Sequence, residues 1–194
     1  MHAAAVMAPI RVTINPMKLG IISDTHNHFE NLKAALAYLR AVKIDLLVHC
    51  GDATSLEVVQ ALSGFQVVYL FGNGDFLTGA MQETLAGLAP HNFAGLTYTD
   101  HLDGVAIAAT HGHLEGELDR LVTSGRYDIV IHGHSHRRRD NLVGRTRVIN
   151  PGALGGLHIE TRSFALLDLA DRSLRFIKEG MWQAPLPRRM PGPD

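Results

Sequence analysis

Cysteine is almost missing: Cys50 is the only one in 194 residues. No disulfide can form within the chain, and a cysteine-rich zinc module is excluded. An excess of charge of one sign is missing too, with 18 Lys and Arg against 19 Asp and Glu for a formal net charge of −1. No global field therefore draws the chain to nucleic acid or to an anionic membrane. No apolar run approaches the ~20 residues of a membrane helix. Met1 to Val12 lacks the charged start and long apolar centre of a signal peptide. No internal repeat is visible at a period of ~20–50 residues. The expectation is a soluble protein in a reducing cytoplasm. Its length suits one compact domain, placed at 17–182. Met1 to Pro16 reads as a loose N-terminal extension. Residues 183–194, with four prolines and no periodicity, read as a Pro-rich tail.

What the chain has in plenty is histidine, 12 in all. Six of these, His49, His111, His113, His132, His134 and His136, fall at or beside predicted strand ends. Tyr127 to Ile131 reads as a buried strand, because Ile129, Val130 and Ile131 form a β-branched run. Gly133-His134-Ser135-His136 follows it, with Gly133 allowing a sharp turn. Two imidazoles so spaced can point into one crevice, and neutral imidazole is the commonest transition-metal ligand.

The first half repeats one pattern three times: a short apolar strand, then a polar cluster. Leu19 to Ser23 ends in Asp24-Thr25-His26, Asp45 to Cys50 in Gly51-Asp52, and Gln66 to Phe71 in Gly72-Asn73-Gly74-Asp75. Leu32, Ala35, Leu36 and Leu39 recur at helical spacing, predicting a helix from about His28 to Val42, with Asn27 and Glu30 in capping-box positions. A second helix is predicted from about Ser55 to Leu62. Strands joined by helices imply parallel βαβ units, whose ligands gather beyond the carboxyl ends of the strands. The second half differs. Phe93 to Thr99 and Val105 to Thr110 are predicted to pair about Asp103-Gly104, and the second of them leads into His111-Gly112-His113. A short helix spans Glu115 to Thr123. Thr146 to Ile149 runs into Asn150-Pro151-Gly152, and Phe164 to Leu169 pairs with Leu174 to Lys178. The mixture predicts two packed sheets with helices outside.

Asp24, His26, Asp52, Asn73, His111, His134 and His136 are the polar side chains at these strand ends. Carboxylate, imidazole and amide without thiolate suit Mn, Fe, Zn, Co or Ni better than Ca or Cu. Seven donors exceed what one closed zinc site needs and fit two divalent ions sharing a carboxylate.

In order and spacing, Asp24-Thr25-His26, Gly51-Asp52, Gly72-Asn73, Thr110-His111-Gly112 and Gly133-His134-Ser135-His136 resemble the signature of the calcineurin-like metallophosphoesterases. The likeness spans Lys18 to about Glu179 and includes Asn150-Pro151-Gly152 of the small single-domain bacterial and archaeal phosphodiesterases. The resemblance implies an α/β fold, a four-layer α/β-β/α sandwich of two facing mixed sheets flanked by helices. It implies that Asp24, His26, Asp52 and His136 hold one divalent ion. Asp52, Asn73, His111 and His134 would hold the other, with manganese the first choice and Fe, Ni, Zn or Co alternatives. Two such ions about 3.5–4 Å apart bind a hydroxide between them for in-line attack on a phosphate ester. Many relatives carry a proton-donating His directly after the Asn; this chain has Gly74. His113 is the candidate to supply the proton or orient the leaving group, alongside Asp52 and Asn73 as reaction-centre residues.

Asp75 is expected to orient a ligand through a hydrogen bond. His49 and His132 are expected to be core histidines, Cys50 a small buried hydrophobe, and His28 a first-turn surface residue. Arg137-Arg138-Arg139 is read as a solvated edge, with substrate steering as the alternative. His2, His91, His101 and His158 receive no role. The leading function is a phosphodiesterase; the alternatives are a phosphomonoesterase and a non-catalytic scaffold of the same fold, as in a retromer subunit. A DNA nuclease is disfavoured by the neutral charge. Self-association into a homo-oligomer is left open.

Overall fold

A computed structural model describes residues 17–182. The expectations of a loose extension at 1–16 and a Pro-rich tail at 183–194 lie outside the described residues. The elements run β1 (Lys18–Ile22), α1 (Phe29–Val42), β2 (Leu46–His49), α2 (Leu56–Ala61), β3 (Val67–Leu70), α3 (Thr78–Leu88), β4 (Phe93–Gly95), β5 (Thr97–Leu102), β6 (Val105–Thr110), α4 (Glu117–Thr123), β7 (Ile129–Ile131), β8 (Arg138–Val143), β9 (Thr146–Pro151), β10 (Ser163–Asp168) and β11 (Leu174–Lys178). They build two mixed sheets, one ordered β11-β10-β1-β2-β3-β4 and the other β5-β6-β7-β9-β8.

Alternation along the strands sorts the side chains into layers. Leu19, Ile21, Val48, Leu70, Ile107, Ile129, Ile131, Ile149 and Leu167 fill the space between the sheets, Cys50 among them. Ile22, Leu47, Val67 and Tyr69 point the other way, against Leu32, Leu36 and Leu39 of α1, Val58 and Val59 of α2 and Met81 and Leu85 of α3. Ala108, Val130 and Val148 meet Leu121 and Val122 of α4 on the far face of the second sheet. The result is the expected four-layer sandwich, helices outside and sheets facing. The parallel strands β1, β2 and β3 release their polar clusters at one end of the first sheet. The ends of β6 and β7, also parallel, do the same in the second.

Four local expectations change. Helix α1 begins without a capping box: His28 is its N-cap and makes no side-chain cap bond. Asn27 instead takes left-handed backbone (φ 57°), because its N–H and that of His26 are tied to Ala53 O and Asp52 O. Strand-end geometry overrides the local cap preference. The predicted strand Phe93 to Thr99 is two strands in different sheets, β4 beside β3 and β5 beside β6. The chain changes sheets at Leu96, which alternation cannot show. Helix α3 escapes notice because Gly79 and Gly87 dilute it and only Met81 and Leu85 are buried. Strand β8 is an unforeseen edge strand. Its charges do structural work, Arg138 pairing with Glu160 at 3.1 Å and Arg147 with Asp140 at 2.6 Å. Arg139 binds Asn141 at 2.6 Å. Among the described residues no helix is long and apolar enough to cross a membrane.

Leu39 is fully buried between α1 and the first sheet. Leu39→Ala is expected to cost about 3 kcal/mol, within the range for deleting buried methyl groups, read as a lower urea midpoint at unchanged slope.

Candidate metal centre

Strand ends bring the predicted donors together. Asp24 and His26 follow β1, Asp52 follows β2, Asn73 follows β3, His111 follows β6, and His134 and His136 follow β7. Asp24, His26, Asp52, His134 and His136 all have positive φ, between 44° and 65°. Non-glycine residues seldom adopt this conformation, and each instance costs on the order of 1–3 kcal/mol. Hydrogen bonds between the loops hold them there: Asp24 N to Gly51 O (2.9 Å), His26 N to Asp52 O (2.9 Å) and Gly155 N to Asp24 O (2.7 Å).

Asp24 and His111 are each presented with one buried atom that has no hydrogen-bond partner among the described residues. One oxygen of Asp24, Oδ2, accepts from Ser23 Oγ at 2.5 Å and from the His134 N–H at 3.1 Å. The other, Oδ1, is buried without a hydrogen bond, with His136 Nε2 at 3.3 Å and His26 Nε2 at 3.9 Å. His111 Nδ1 donates to Cys50 O at 2.5 Å, and His136 Nδ1 to Leu157 O at 3.1 Å. A carbonyl only accepts, so each Nδ1 carries the proton and Nε2 is left to act as a ligand. His111 Nε2 is buried and has no hydrogen-bond partner among the described residues. His26 Nε2 and His136 Nε2 face each other at 3.3 Å. Asp52 lies between the two groups: Oδ1 is 3.6 Å from His111 Nε2 and Oδ2 is 3.6 Å from His26 Nε2. Orphaned buried acceptors converging in this way fit divalent cations. Asp24, His26 and His136 form one candidate ligand group, and Asp24, Asp52 and His111 another.

His134 and Asn73 stand farther out, lining with His26, Asp52, His136, Gly156 and Leu157 an open crevice of about 500 Å³. The His134 ring lies 5.1 Å from that of His111. His113 stands beside both, its ring 5.3 Å from His111 and 6.4 Å from His134, with a buried Nδ1 that has no hydrogen-bond partner among the described residues. Burial, with His111 and His134 nearby, holds its imidazole below the ordinary histidine value. Burial raises the Asp24 carboxyl, but the neighbouring His136, His111 and Ser23 outweigh it and hold the group below its usual range. The approach to Asp24 in turn lifts His136 above its ordinary value.

His49 and His28 stand as expected, while His132 is in the core but leaves its Nε2 without a hydrogen-bond partner among the described residues. His49 is fully buried, bonded to Thr25 Oγ1 at 2.9 Å and to Gly51 N at 3.1 Å, and stacked on Tyr69. Its pKa is pushed down to about 4, chiefly by burial. His132 is buried and His28 is exposed.

Asp75 acts on the backbone of a donor. Its carboxylate accepts from Asp52 N (3.0 Å), Gly72 N (2.9 Å), Thr54 N (3.0 Å) and the Tyr69 hydroxyl (2.8 Å). Asp52 is thereby fixed in its left-handed conformation. Sequence reasoning missed three supports. Gly156, itself at φ +63°, lies so close to the imidazoles that an added Cβ would sit 2.6 Å from His136 Cε1 and would also strike His26. Asn150 donates to Gly133 O at 2.7 Å and to Ser135 Oγ at 3.2 Å, bracing the loop of His134 and His136. Arg162 gathers the carbonyls of Gly155, Gly156 and Leu157. The paired glycines and the Asn-Pro-Gly run were the only signals available for these. Gly133 is needed less for a turn than for clearance, since a Cβ there would strike Ser23 Oγ.

Residues 17–172 match the calcineurin-like phosphoesterase superfamily domain. The chain belongs to this superfamily. It is 31% identical over 163 residues to a phosphodiesterase of Methanocaldococcus jannaschii, covering 83% of this chain and 98% of that protein. A solved archaeal phosphodiesterase superposes with a TM-score of 0.79 at 31% identity, over 84% of this chain and 99% of its own. Vps29 of Entamoeba histolytica, complexed with zinc, shares the fold at 21% identity, with a TM-score of 0.56 over 81% of this chain and 89% of its own.

Asp75→Asn puts an amide donor against groups that are themselves donors. It is expected to weaken Mn²⁺ binding about 10–100-fold, the usual effect of losing a group that orients a ligand. Titration calorimetry reads the affinity, and circular dichroism checks that the fold is kept.

Proposed function

We propose that the chain is a metal-dependent phosphodiesterase that binds two divalent ions. The observation that carries this reading is Asp52, whose two oxygens each lie 3.6 Å from a different imidazole Nε2. Asp24, His26, Asp52 and His136 would hold one ion, and Asp52, Asn73, His111 and His134 the other. Manganese is the first choice, with Fe, Ni, Zn and Co acceptable to the same donors. When bound, such a pair neutralises phosphoryl oxygens and acidifies a water for in-line attack on phosphorus. The chain's own residues do the rest. Cys50 O and Leu157 O keep the imidazole tautomers correct, and Asp75 keeps Asp52 between the two groups. The open crevice admits a phosphate ester, and the relatives named phosphodiesterases favour a diester. His113 faces the leaving oxygen. With Gly74 where many relatives carry histidine, it is an imidazole outside the donor set that stands beside two of its rings. A neutral ring there orients that oxygen through its N–H. The single buried Cys50 favours a reducing cytoplasm as the setting, and 17–182 is read as one domain.

The shared fold with Vps29 keeps a scaffold as the second reading, which the convergent orphaned donors argue against. Protein reconstituted with Mn²⁺ is expected to hydrolyse bis(p-nitrophenyl) phosphate, and Asp52→Ala to lose the activity and the metal. Absence of metal-dependent hydrolysis across a panel of mono-, di- and cyclic esters would overturn the enzyme reading. His113→Ala is expected to slow an alkyl ester by about 10²-fold. The loss on a nitrophenyl ester should be smaller, because nitrophenolate leaves unaided. Unchanged rates on both substrates would remove His113 from the mechanism.

A further inference from the structure

The crevice has a wall that the donor set does not explain. Leu157 lines it together with His26, Asp52, Asn73, His134 and His136, and is 74% exposed. The backbone that carries this side chain is tied down on several sides. Arg162 donates to the carbonyls of Gly155, Gly156 and Leu157, so one planar fork clamps three consecutive peptide groups. The same Leu157 carbonyl accepts from His136 Nδ1 at 3.1 Å and from Ile159 N at 3.1 Å. Just before it, Gly156 packs its bare Cα against the His26 and His136 imidazoles, where no Cβ fits. The backbone of this loop therefore serves the candidate ligands while its side chain is held out over the space beside them. Ile159, also exposed, follows two residues on.

We propose that Leu157 is a specificity-determining residue: it forms the apolar subsite for an ester arm of the substrate, which is an aryl or alkyl group rather than a sugar or a charged headgroup. The proposal deepens the phosphodiesterase reading and rests on it. With phosphorus over Asp52 and the imidazoles, a diester must direct its second arm away from the polar cluster, and Leu157 is the aliphatic side chain on the crevice wall. Burying an arm against it removes apolar surface of both partners from water.

The test holds the leaving group constant. Mn²⁺-reconstituted protein is assayed on p-nitrophenyl phenyl phosphate and on p-nitrophenyl phosphorylcholine. The ratio of kcat/KM is compared for wild type, Leu157→Ser and Leu157→Phe. The side-chain changes leave in place the carbonyl that holds His136, and the exposed position tolerates both. Wild type is expected to prefer the phenyl arm. In Leu157→Ser the preference should fall by roughly tenfold, as expected for a lost apolar contact in a binding site, while Leu157→Phe keeps or raises it. Competitive inhibition by phenylphosphonate relative to methylphosphonate should fall in parallel in Leu157→Ser, which reads binding without turnover. Equal ratios in wild type and both variants, or a wild-type preference for the choline arm, would overturn the subsite while leaving the phosphodiesterase reading intact. A wild-type protein that hydrolyses bis(p-nitrophenyl) phosphate but neither of these esters overturns the subsite alone, and one that hydrolyses no ester of the wider panel removes both.

Discussion

Left-handed backbone at the strand ends is the constraint on which this site depends. Asp24, His26, Asp52, His134 and His136 all occupy it, where a side chain's Cβ crowds the backbone and the conformation costs free energy at each residue. A strand that simply continued would send alternate side chains to opposite faces of its sheet. Curling each chain end through positive φ turns consecutive donors into one crevice. Because local preference opposes the arrangement, other interactions must hold it. Asp75 does so most directly, drawing three backbone N–H groups and the Tyr69 hydroxyl onto one carboxylate.

The same logic extends outward through carbonyl groups. Cys50 O and Leu157 O each take the Nδ1 proton of a histidine and leave Nε2 turned inward. Without those acceptors the rings could rotate or exchange tautomers, and the donors would no longer converge. Leu157 O lies in a loop that has no regular structure, and Arg162 stands in for the missing ladder. Loops built in this way can vary their side chains over the crevice without disturbing the ligands beneath, which separates reaction chemistry from substrate choice.

The sandwich supplies the platform. Parallel β1, β2 and β3 end at one edge of the first sheet, and parallel β6 and β7 end beside them in the second. Apolar side chains between the sheets bring the two sets of strand ends together. What could be read along the chain was whatever carries a short-range period. The β-branched run at Ile129 to Ile131 and the helical recurrence of Leu32, Ala35, Leu36 and Leu39 both became elements in place. Features decided by partners distant in sequence were not legible. Helix α3 carries little amphipathic signal, the change of sheet at Leu96 is a matter of which neighbour each half meets, and β8 is a strand because β9 lies beside it. Asn27 shows local preference losing, its N–H taken by Ala53 O where a helix cap was expected.

The sequence by itself determined most of the elements and the family resemblance, and it singled out seven candidate donors, because each closely follows a predicted strand and residue type limits which cations it suits. Tertiary structure alone decided which atoms of Asp24, His111 and His136 face inward, that Asp52 lies between two imidazoles, and that Gly156, Asn150 and Arg162 support them. Those facts rest on contacts between segments up to more than a hundred residues apart, such as Asp24 with the His134 N–H. Position along the chain carries no record of such distances until the two sheets have packed.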